Sequence, residues 1–275
     1  MATPTFRQVP AADMAQDPPP ELRPGDAYVQ SFARGLEVIR SFSASAPRQT
    51  LTDVAGRTGL TRAGARRILL TLQTLGYVES DGKLFALTPR ILDLGFAYLS
   101  SMPMWNVAEP VMEALVEQVK ESCSAGVLEG TDIMYVLRVS TRKIMRNSLG
   151  VGSRLPAYCT SLGRMLLAGL PDDEVRRLLQ ASTLEARTRH TLTEVDAILA
   201  KVQQARKQGW CLVNQELEEG LVSIAAPIVN RAGRTIAALN ISGQANRTPP
   251  RQMQETMLPA LRAAAQEISR RLVLA

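Results

Sequence analysis

The stretch from Leu51 to Gly76 constrains this chain more than any other. Leu51 to Thr58 reads as a short helix that Gly59 breaks. A second helix opens at Thr61, a residue suited to cap it, and runs to Leu75, with Gly76 supplying the stop. Two helices joined by a tight turn containing glycine form a helix-turn-helix unit. Tyr77-Val78-Glu79 and Leu84-Phe85-Ala86-Leu87 are β-rich and flank Ser80-Asp81-Gly82-Lys83, a D-G turn, so a small wing follows. Upstream, Phe32, Leu36, Ile39 and Phe42 recur at helical spacing over Ser31 to Phe42, and the Ser/Ala/Pro stretch Ser43 to Arg48 closes that helix.

On the helix after Thr61, Ala65, Ile68, Leu69 and Leu72 define a buried side, and Ala63, Arg67 and Leu70 point away from it. Arg66 and Thr71 lie on the flank. Small residues at the start and two arginines one turn in suit a helix entering a major groove, where Arg reads guanine and Thr contacts bases or phosphate. The candidate DNA contacts are Thr52, Thr61, Arg62, Ala63, Arg66, Arg67, Thr71 and Lys83. The alternative is that Arg66 and Arg67 are solvated charges on an ordinary helix. Charge distribution weighs against it. Between Tyr28 and Arg90 nine Lys/Arg stand against four acids, so this segment carries most of the chain's net charge of +6.

Hydrophobic residues make up 45% of the 275 and charged ones 21%, enough for globular domains with cores. Met1 to Pro24 is rich in Pro and Ala, holds Asp13, Asp17 and Glu21, and lacks the apolar core of a signal peptide. No apolar run approaches the ~20 residues of a membrane span. Cys123, Cys159 and Cys211 are widely spaced, which suits reduced thiols in a cytoplasm and no metal site. The layout that follows is a disordered tail over 1–25, a winged helix-turn-helix domain over 26–88, a linker helix over 89–105 beginning after Thr88-Pro89, and a second domain over 106–275.

That second domain reads as an antiparallel sheet flanked by helices, an α+β arrangement. A helix from Val107 to about Lys120 precedes strands Ser124 to Leu128 and Ile133 to Val139. Helices follow over Thr160 to Leu170, Asp172 to Gln180 and Thr193 to Gln208, where Thr193 and Asp196 resemble a capping box. A hairpin joins Leu221–Val229 to Thr235–Ser242, and an amphipathic helix runs from Pro249 to Leu272. A hairpin turn centred on Arg231–Gly233 sets Ser223 opposite Ser242, Ala225 opposite Asn240 and Pro227 opposite Ala238. One face of the ribbon is then small and hydrogen-bonding, and the other, with Val222, Ile224, Leu239 and Ile241, is ordinary core. A solvent-exposed face would normally carry Lys, Glu or Thr, so the floor of a cavity is the better reading. An acid held there needs donors. The N–H groups of Ser161 and Leu162 at the helix opening on Thr160 supply them. Tyr158, Arg138, Arg154, Asn214 and Gln215 are further candidates. The binding set is Gly126, Tyr158, Thr160, Ser161, Leu162, Asn214, Ser223, Ala225, Asn240 and Ser242.

The runs Leu51-Thr52-Asp53-Val54-Ala55, Thr58-Gly59-Leu60, Arg62-Ala63-Gly64-Ala65-Arg66-Arg67 and Leu72-Gln73-Thr74-Leu75-Gly76-Tyr77-Val78 resemble the DNA-binding domain of the IclR family. Arg154 through Arg164, Gly220 through Pro227 and Ala237 through Ser242 extend the resemblance to nearly everything from Tyr28 onward. It is strongest to the PcaU, PcaR and PobR branch. The resemblance implies a winged helix-turn-helix joined by a linker helix to a GAF-like effector-binding domain, and control of genes for aromatic-acid breakdown. It implies a small aromatic or ring-derived carboxylate effector, an operator in double-stranded DNA, and dimers that pair into tetramers. Ser223, Asn240, Ser242 and the turn at Thr160 match positions where related regulators hold effectors. RNA polymerase is a candidate partner, with activation favoured over repression. A repressor sensing a non-aromatic acid is the alternative within the family.

Two other classes compete. A hydrolase would have to use His190, which lies in the polar loop-like run Arg187-Thr188-Arg189-His190-Thr191. Gly150-Val151-Gly152 lacks the third glycine and the strand-to-helix context of a dinucleotide site, so no cofactor is expected. An architectural DNA-binding protein with no effector leaves the Ser/Ala/Asn/Ser face unexplained.

Overall fold

The computed structural model describes residues 28–101, 104–141 and 149–274. The tail expected over 1–25 lies outside them. Contacts divide the chain into two units, Met1–Ala97 and Tyr98–Ala275.

The smaller unit holds α1 (Gln30–Ser41), β1 (Arg48–Thr50), α2 (Leu51–Thr58), α3 (Arg62–Thr74), β2 (Val78–Ser80), β3 (Leu84–Leu87), a 3-10 turn over Pro89–Ile91, and the start of α4 (Leu92–Ser101). Local chemistry sets its boundaries. The Thr50 hydroxyl accepts from Asp53 N while the Asp53 carboxylate accepts from Thr50 N, a reciprocal box that starts α2 and draws the Asp53 carboxyl below its usual range. Gly59 ends α2 at φ +66°, and Gly76 follows α3 at φ +80°, conformations that cost a side-chain-bearing residue energy. Val38, Val54, Ala65, Leu69, Leu72 and Val78 fill the core. The wing gains a strand that the sequence does not announce: β1 pairs with β3, giving the order β1-β3-β2. Its three residues carry no periodic signal, and the partner, Leu84 opposite Thr50, lies more than thirty positions away.

The larger unit runs α5 (Met104–Val119), β4 (Ser122–Glu129), β5 (Asp132–Val139), β6 (Arg154–Pro156), α6 (Ser161–Leu167), α7 (Asp172–Ala181), α8 (Val195–Gln208), β7 (Cys211–Asn214), β8 (Leu221–Val229) and β9 (Thr235–Gln244). A helical turn α9 (Pro250–Gln252), a π turn (Met253–Met257) and α10 (Leu258–Leu274) close it. The six strands form one antiparallel sheet in the order β6-β5-β4-β9-β8-β7. Ser223 pairs with Ser242, Ala225 with Asn240 and Pro227 with Ala238, the register that the turn predicts. Strand alternation then sorts the sheet into two faces. Cys123, Ala125, Ile224, Leu239 and Ile241 pack with residues of α5 and α10, among them Met112 and Leu261. Ile133, Tyr135, Val213, Ala225 and Ala238 pack instead with Leu162, Val175, Leu179 and Ile198 of α6 to α8.

Two local expectations are corrected. Thr193 and Asp196 do not form a capping box: α8 starts at Val195 behind Glu194, which makes no side-chain cap, and Asp196 pairs with Arg176 at 2.8 Å. The approach to α8 is fixed elsewhere, because Thr188 and Thr191 donate their hydroxyls to the carbonyls of Gln215 and Glu216. The closing helix is not uniform either. Pro259 lacks an N–H and crowds the carbonyl four residues back, and the widened π turn lies immediately before it. Among the described residues no helix is long and apolar enough to cross a membrane.

Gly163 packs where a Cβ would run into the backbone of Ala157, whereas one on Gly95 would meet nothing within 4 Å. Gly163→Ala is expected to cost ~3 kcal/mol or more, a fall in Tm of roughly 6–12 °C. Gly95→Ala should leave Tm unchanged or slightly raised. Calorimetry on both variants checks the pair.

Candidate functional site

All eight candidate DNA contacts, Thr52, Thr61, Arg62, Ala63, Arg66, Arg67, Thr71 and Lys83, are solvent-exposed. The Thr61 hydroxyl is spent on capping α3, accepting from Gly64 N at 3.1 Å, and Thr71 donates to Arg67 O at 2.9 Å. Among the described residues Arg62, Arg66 and Arg67 enter no ion pair. Ala63 and Arg67 stand on one side of α3 opposite buried Ala65, Leu69 and Leu72, which leaves a cationic ridge on a rigid helix. Lys83 sits at the wing tip. There the Asp81 carboxylate accepts from the N–H groups of Leu84 and Lys83 and pairs with Arg48 at 2.8 Å, so its pKa is lowered and the turn is fixed. Nothing in the structure explains the exposure of Leu70.

In the larger unit a cavity of about 30 Å³ lies between the sheet and α6. Its floor is Ser223, Asn240 and Ser242; Thr160, Ser161 and Leu162 form the opposing wall. Leu155, Leu217 and Leu221 supply apolar lining, and Tyr135, Cys159 and Val213 complete it. Asn240 Oδ1 accepts from Ser124 N at 3.2 Å, which turns its amide nitrogen toward the Ser242 hydroxyl, 3.5 Å away. Ser161 Oγ is buried and unpartnered. A buried hydroxyl without a partner carries a desolvation cost of about 1–3 kcal/mol, which a ligand group can recover.

Residues 31–82 match the IclR helix-turn-helix domain, and residues 96–270 match the C-terminal domain of bacterial IclR transcriptional regulators. The chain belongs to the IclR family. It is a DNA-binding transcriptional regulator, and the domains and relatives it matches are regulators rather than enzymes. It is 43% identical to the Pca regulon regulatory protein of Pseudomonas putida over 246 residues, 89% of this chain and 84% of that one. Identity to the p-hydroxybenzoate hydroxylase transcriptional activator of Acinetobacter baylyi is 35% over 253 residues, 90% and 93% of the two chains. An IclR homolog from Microbacterium hydrocarbonoxydans, crystallised with 4-hydroxybenzoate, is 26% identical with a TM-score of 0.78, covering 88% of this chain and 98% of that one.

Within this IclR-family chain, six of the ten candidate effector residues line the cavity: Thr160, Ser161, Leu162, Ser223, Asn240 and Ser242. The structure sets the other four apart. Asn214 pairs with Val222 and so faces the α5 side of the sheet, away from Ser223. The Tyr158 hydroxyl donates to Glu185 O at 2.7 Å and accepts from Glu185 N, a loop-fixing role. Gly126 leaves room for Leu162, which a Cβ would approach to 3.3 Å, and Ala225 is covered in the core. Thr160 lines the cavity with its hydroxyl already committed, donating to Pro156 O and accepting from Gly163 N. Gln215 lies outside the lining at φ +60°, its amide oxygen accepting from Gly220 N.

A buried ion pair beside the cavity has no signature in the sequence. Arg164 of α6, about 1% exposed, donates from Nη1 and Nη2 to the two carboxylate oxygens of Glu216 at 2.6 and 2.5 Å. Its Nε donates to Tyr158 O, and Leu192 N donates to Glu216 Oε2. A polar residue on a short helix gives no local sign that it will be buried. The enzyme alternative finds no support here. Burial holds the Cys159 thiol up to about 11, hence protonated at neutral pH, and His190 is exposed with its Nε2 accepting from Arg189.

Replacing Arg66 and Arg67 together by Ala should weaken binding to an operator selected from random DNA by at least tenfold and reduce the salt slope by about 2. Fluorescence anisotropy across a salt series checks this, and unchanged affinity would remove α3 from the interface. Arg164→Met strands a buried carboxylate and is expected to cost about 3–5 kcal/mol, most of it recovered when Glu216→Leu is added. Urea denaturation of the single and double variants reads both values.

Proposed function

We propose that the protein controls genes of aromatic-compound catabolism by binding a DNA operator through α3 and the wing, and that a small aromatic or ring-derived carboxylate in the larger unit sets its activity. The observation that carries the effector reading is the cavity itself: a floor of Ser223, Asn240 and Ser242 facing the unpartnered Ser161 hydroxyl, ringed by leucines. Donors at fixed points in an apolar lining are what a planar acid needs. The relatives that act in the Pca regulon and on p-hydroxybenzoate hydroxylase, and the homolog holding 4-hydroxybenzoate, support the same ligand class. At about 30 Å³ the cavity has room for a water, so its lining must move apart for an aromatic acid to enter.

Oligomerisation is part of the proposal. Phe32, Leu75 and Leu94 are half or more exposed around a groove of about 790 Å³ in the smaller unit, and an apolar surface of that kind suits a second copy of the chain. A dimer, or a dimer of dimers, presents two recognition helices to a two-fold operator. The relative named as an activator favours activation, with RNA polymerase as the partner, in the cytoplasm where the DNA is.

Thermal melts with 4-hydroxybenzoate, protocatechuate, 3-hydroxybenzoate, terephthalate, β-ketoadipate and pyruvate test the effector. A true effector at 100 times its Kd stabilises the fold by about 2.7 kcal/mol. Ser223→Leu and Asn240→Leu should fill the cavity and abolish that shift while operator binding persists. Shifts that survive both changes would place the effector elsewhere, and a shift with pyruvate alone would favour the non-aromatic alternative.

A further inference from the structure

Four arginines neighbour residues that line the cavity, and three have an evident place. Arg164 is neutralised by Glu216. Arg154 pairs with Asp132 at 3.5 Å and donates to Glu129 O at 3.1 Å on the sheet edge. Arg187 lies near the Cys159 thiol on an exposed loop, where water solvates its charge.

Arg138 differs from all of these. It pairs in register with Ser124, and Ser124 pairs with Asn240, so the three stand side by side on the cavity face of β5, β4 and β9. The guanidinium donates from Nη1 to Ser124 Oγ at 3.2 Å and from Nε to Ser140 Oγ at 3.3 Å. It also lies 6.0 Å from the ring centre of Tyr135, which lines the cavity. Both hydrogen-bond partners are neutral, and among the described residues no carboxylate lies within ion-pair distance of it. A half-buried cation loses hydration, and such charges are ordinarily matched by an anion. None of the described residues supplies one, while the neighbouring cavity offers neutral polar groups at Ser161, Ser223, Asn240 and Ser242.

We propose that Arg138 is the charge partner of the effector's carboxylate and the residue that selects acids over neutral molecules of the same shape. The inference rests on the effector reading above. It also fixes the direction of the ligand. From Ser124 on β4 across Asn240 to Ala225 on β8 is two strand steps, and Ser223 lies two residues further along β8, so Ser124 and Ser223 are about 12 Å apart. That span accommodates a carboxylate at Arg138, one ring across Asn240 and a hydroxyl near Ser223. The class is a ring carboxylate with a polar group at the far end.

Isothermal titration of the full-length protein with 4-hydroxybenzoate and protocatechuate, each beside its primary amide, tests this. Wild type should bind at least one acid tenfold or more tighter than its amide. Arg138→Gln should weaken that acid at least tenfold and leave the amide within twofold, so the preference collapses; Arg138→Lys should keep part of it. Arg154→Gln and Arg187→Gln should stay within twofold of wild type for both ligands. Acid binding by Arg138→Gln equal to wild type overturns the inference and leaves the effector reading standing, as does equal loss in the two control variants. Wild type that binds neither acid removes the aromatic-acid reading and this inference with it. Should Arg138→Gln fail to fold by thermal melt, the acid-to-amide ratios of wild type and Arg138→Lys decide: no preference in wild type, or an undiminished one in Arg138→Lys, overturns the inference.

Discussion

The larger unit depends on one buried contact, the bidentate pair between Arg164 and Glu216. Burying two charges is costly, and the cost is offset only when geometry is good and the remaining donors and acceptors are filled. Here they are: Arg164 also holds the Tyr158 carbonyl, and Glu216 also receives Leu192 N. The pair joins α6, which forms the roof of the cavity through Ser161 and Leu162, to the β7–β8 connection, which brings Leu217 and Leu221 to its side. Thr188 and Thr191 tie the loop before α8 to that connection through the carbonyls of Gln215 and Glu216. An ion pair has strict distance and orientation requirements, so it positions the walls more sharply than apolar packing would.

The sheet supplies the complementary constraint. Side chains alternate, so a single register gives β8 and β9 one face that is ordinary core and another that can host a ligand. Slippage by one residue would exchange them, burying Ser223, Asn240 and Ser242 against α5 and α10. The apolar faces of neighbouring strands and the two-sided coverage by helices hold the register, and the cavity persists as a polar inlay in that packing.

The smaller unit is held by short-range chemistry. The Thr50–Asp53 box, the Thr61 cap and the two glycines at positive φ fix where α2 and α3 begin and end, and the buried Ala65, Leu69 and Leu72 orient α3. Exposure of Arg62, Arg66 and Arg67 follows from that orientation without any further interaction. A rigid helix whose cations pair with no described carboxylate is suited to DNA, where phosphate and base contacts supply counter-charge.

How much was legible in the sequence follows the range of each interaction. Caps, glycine stops, helix faces and the D-G wing depend on residues a few positions apart, so the helix-turn-helix and its exposed arginines could be read directly. The β8–β9 register could be read as well, because a tight turn propagates alternation down both strands, and with it came Ser223, Asn240 and Ser242. Tertiary structure decided the rest. Strand β1 exists only through its pairing with β3; Asn214 turns away from the cavity because β7 enters the sheet in one register rather than the next; and Tyr158 closes on Glu185 instead of the ligand space. The burial of Arg164 depends on Glu216, fifty-two positions away, and no local pattern encodes an encounter of that range. Sequence thus determined the elements and their faces, because those are short-range properties. Only the packed fold decided which polar groups are paired, buried or left facing a cavity, because that depends on partners far apart in the chain.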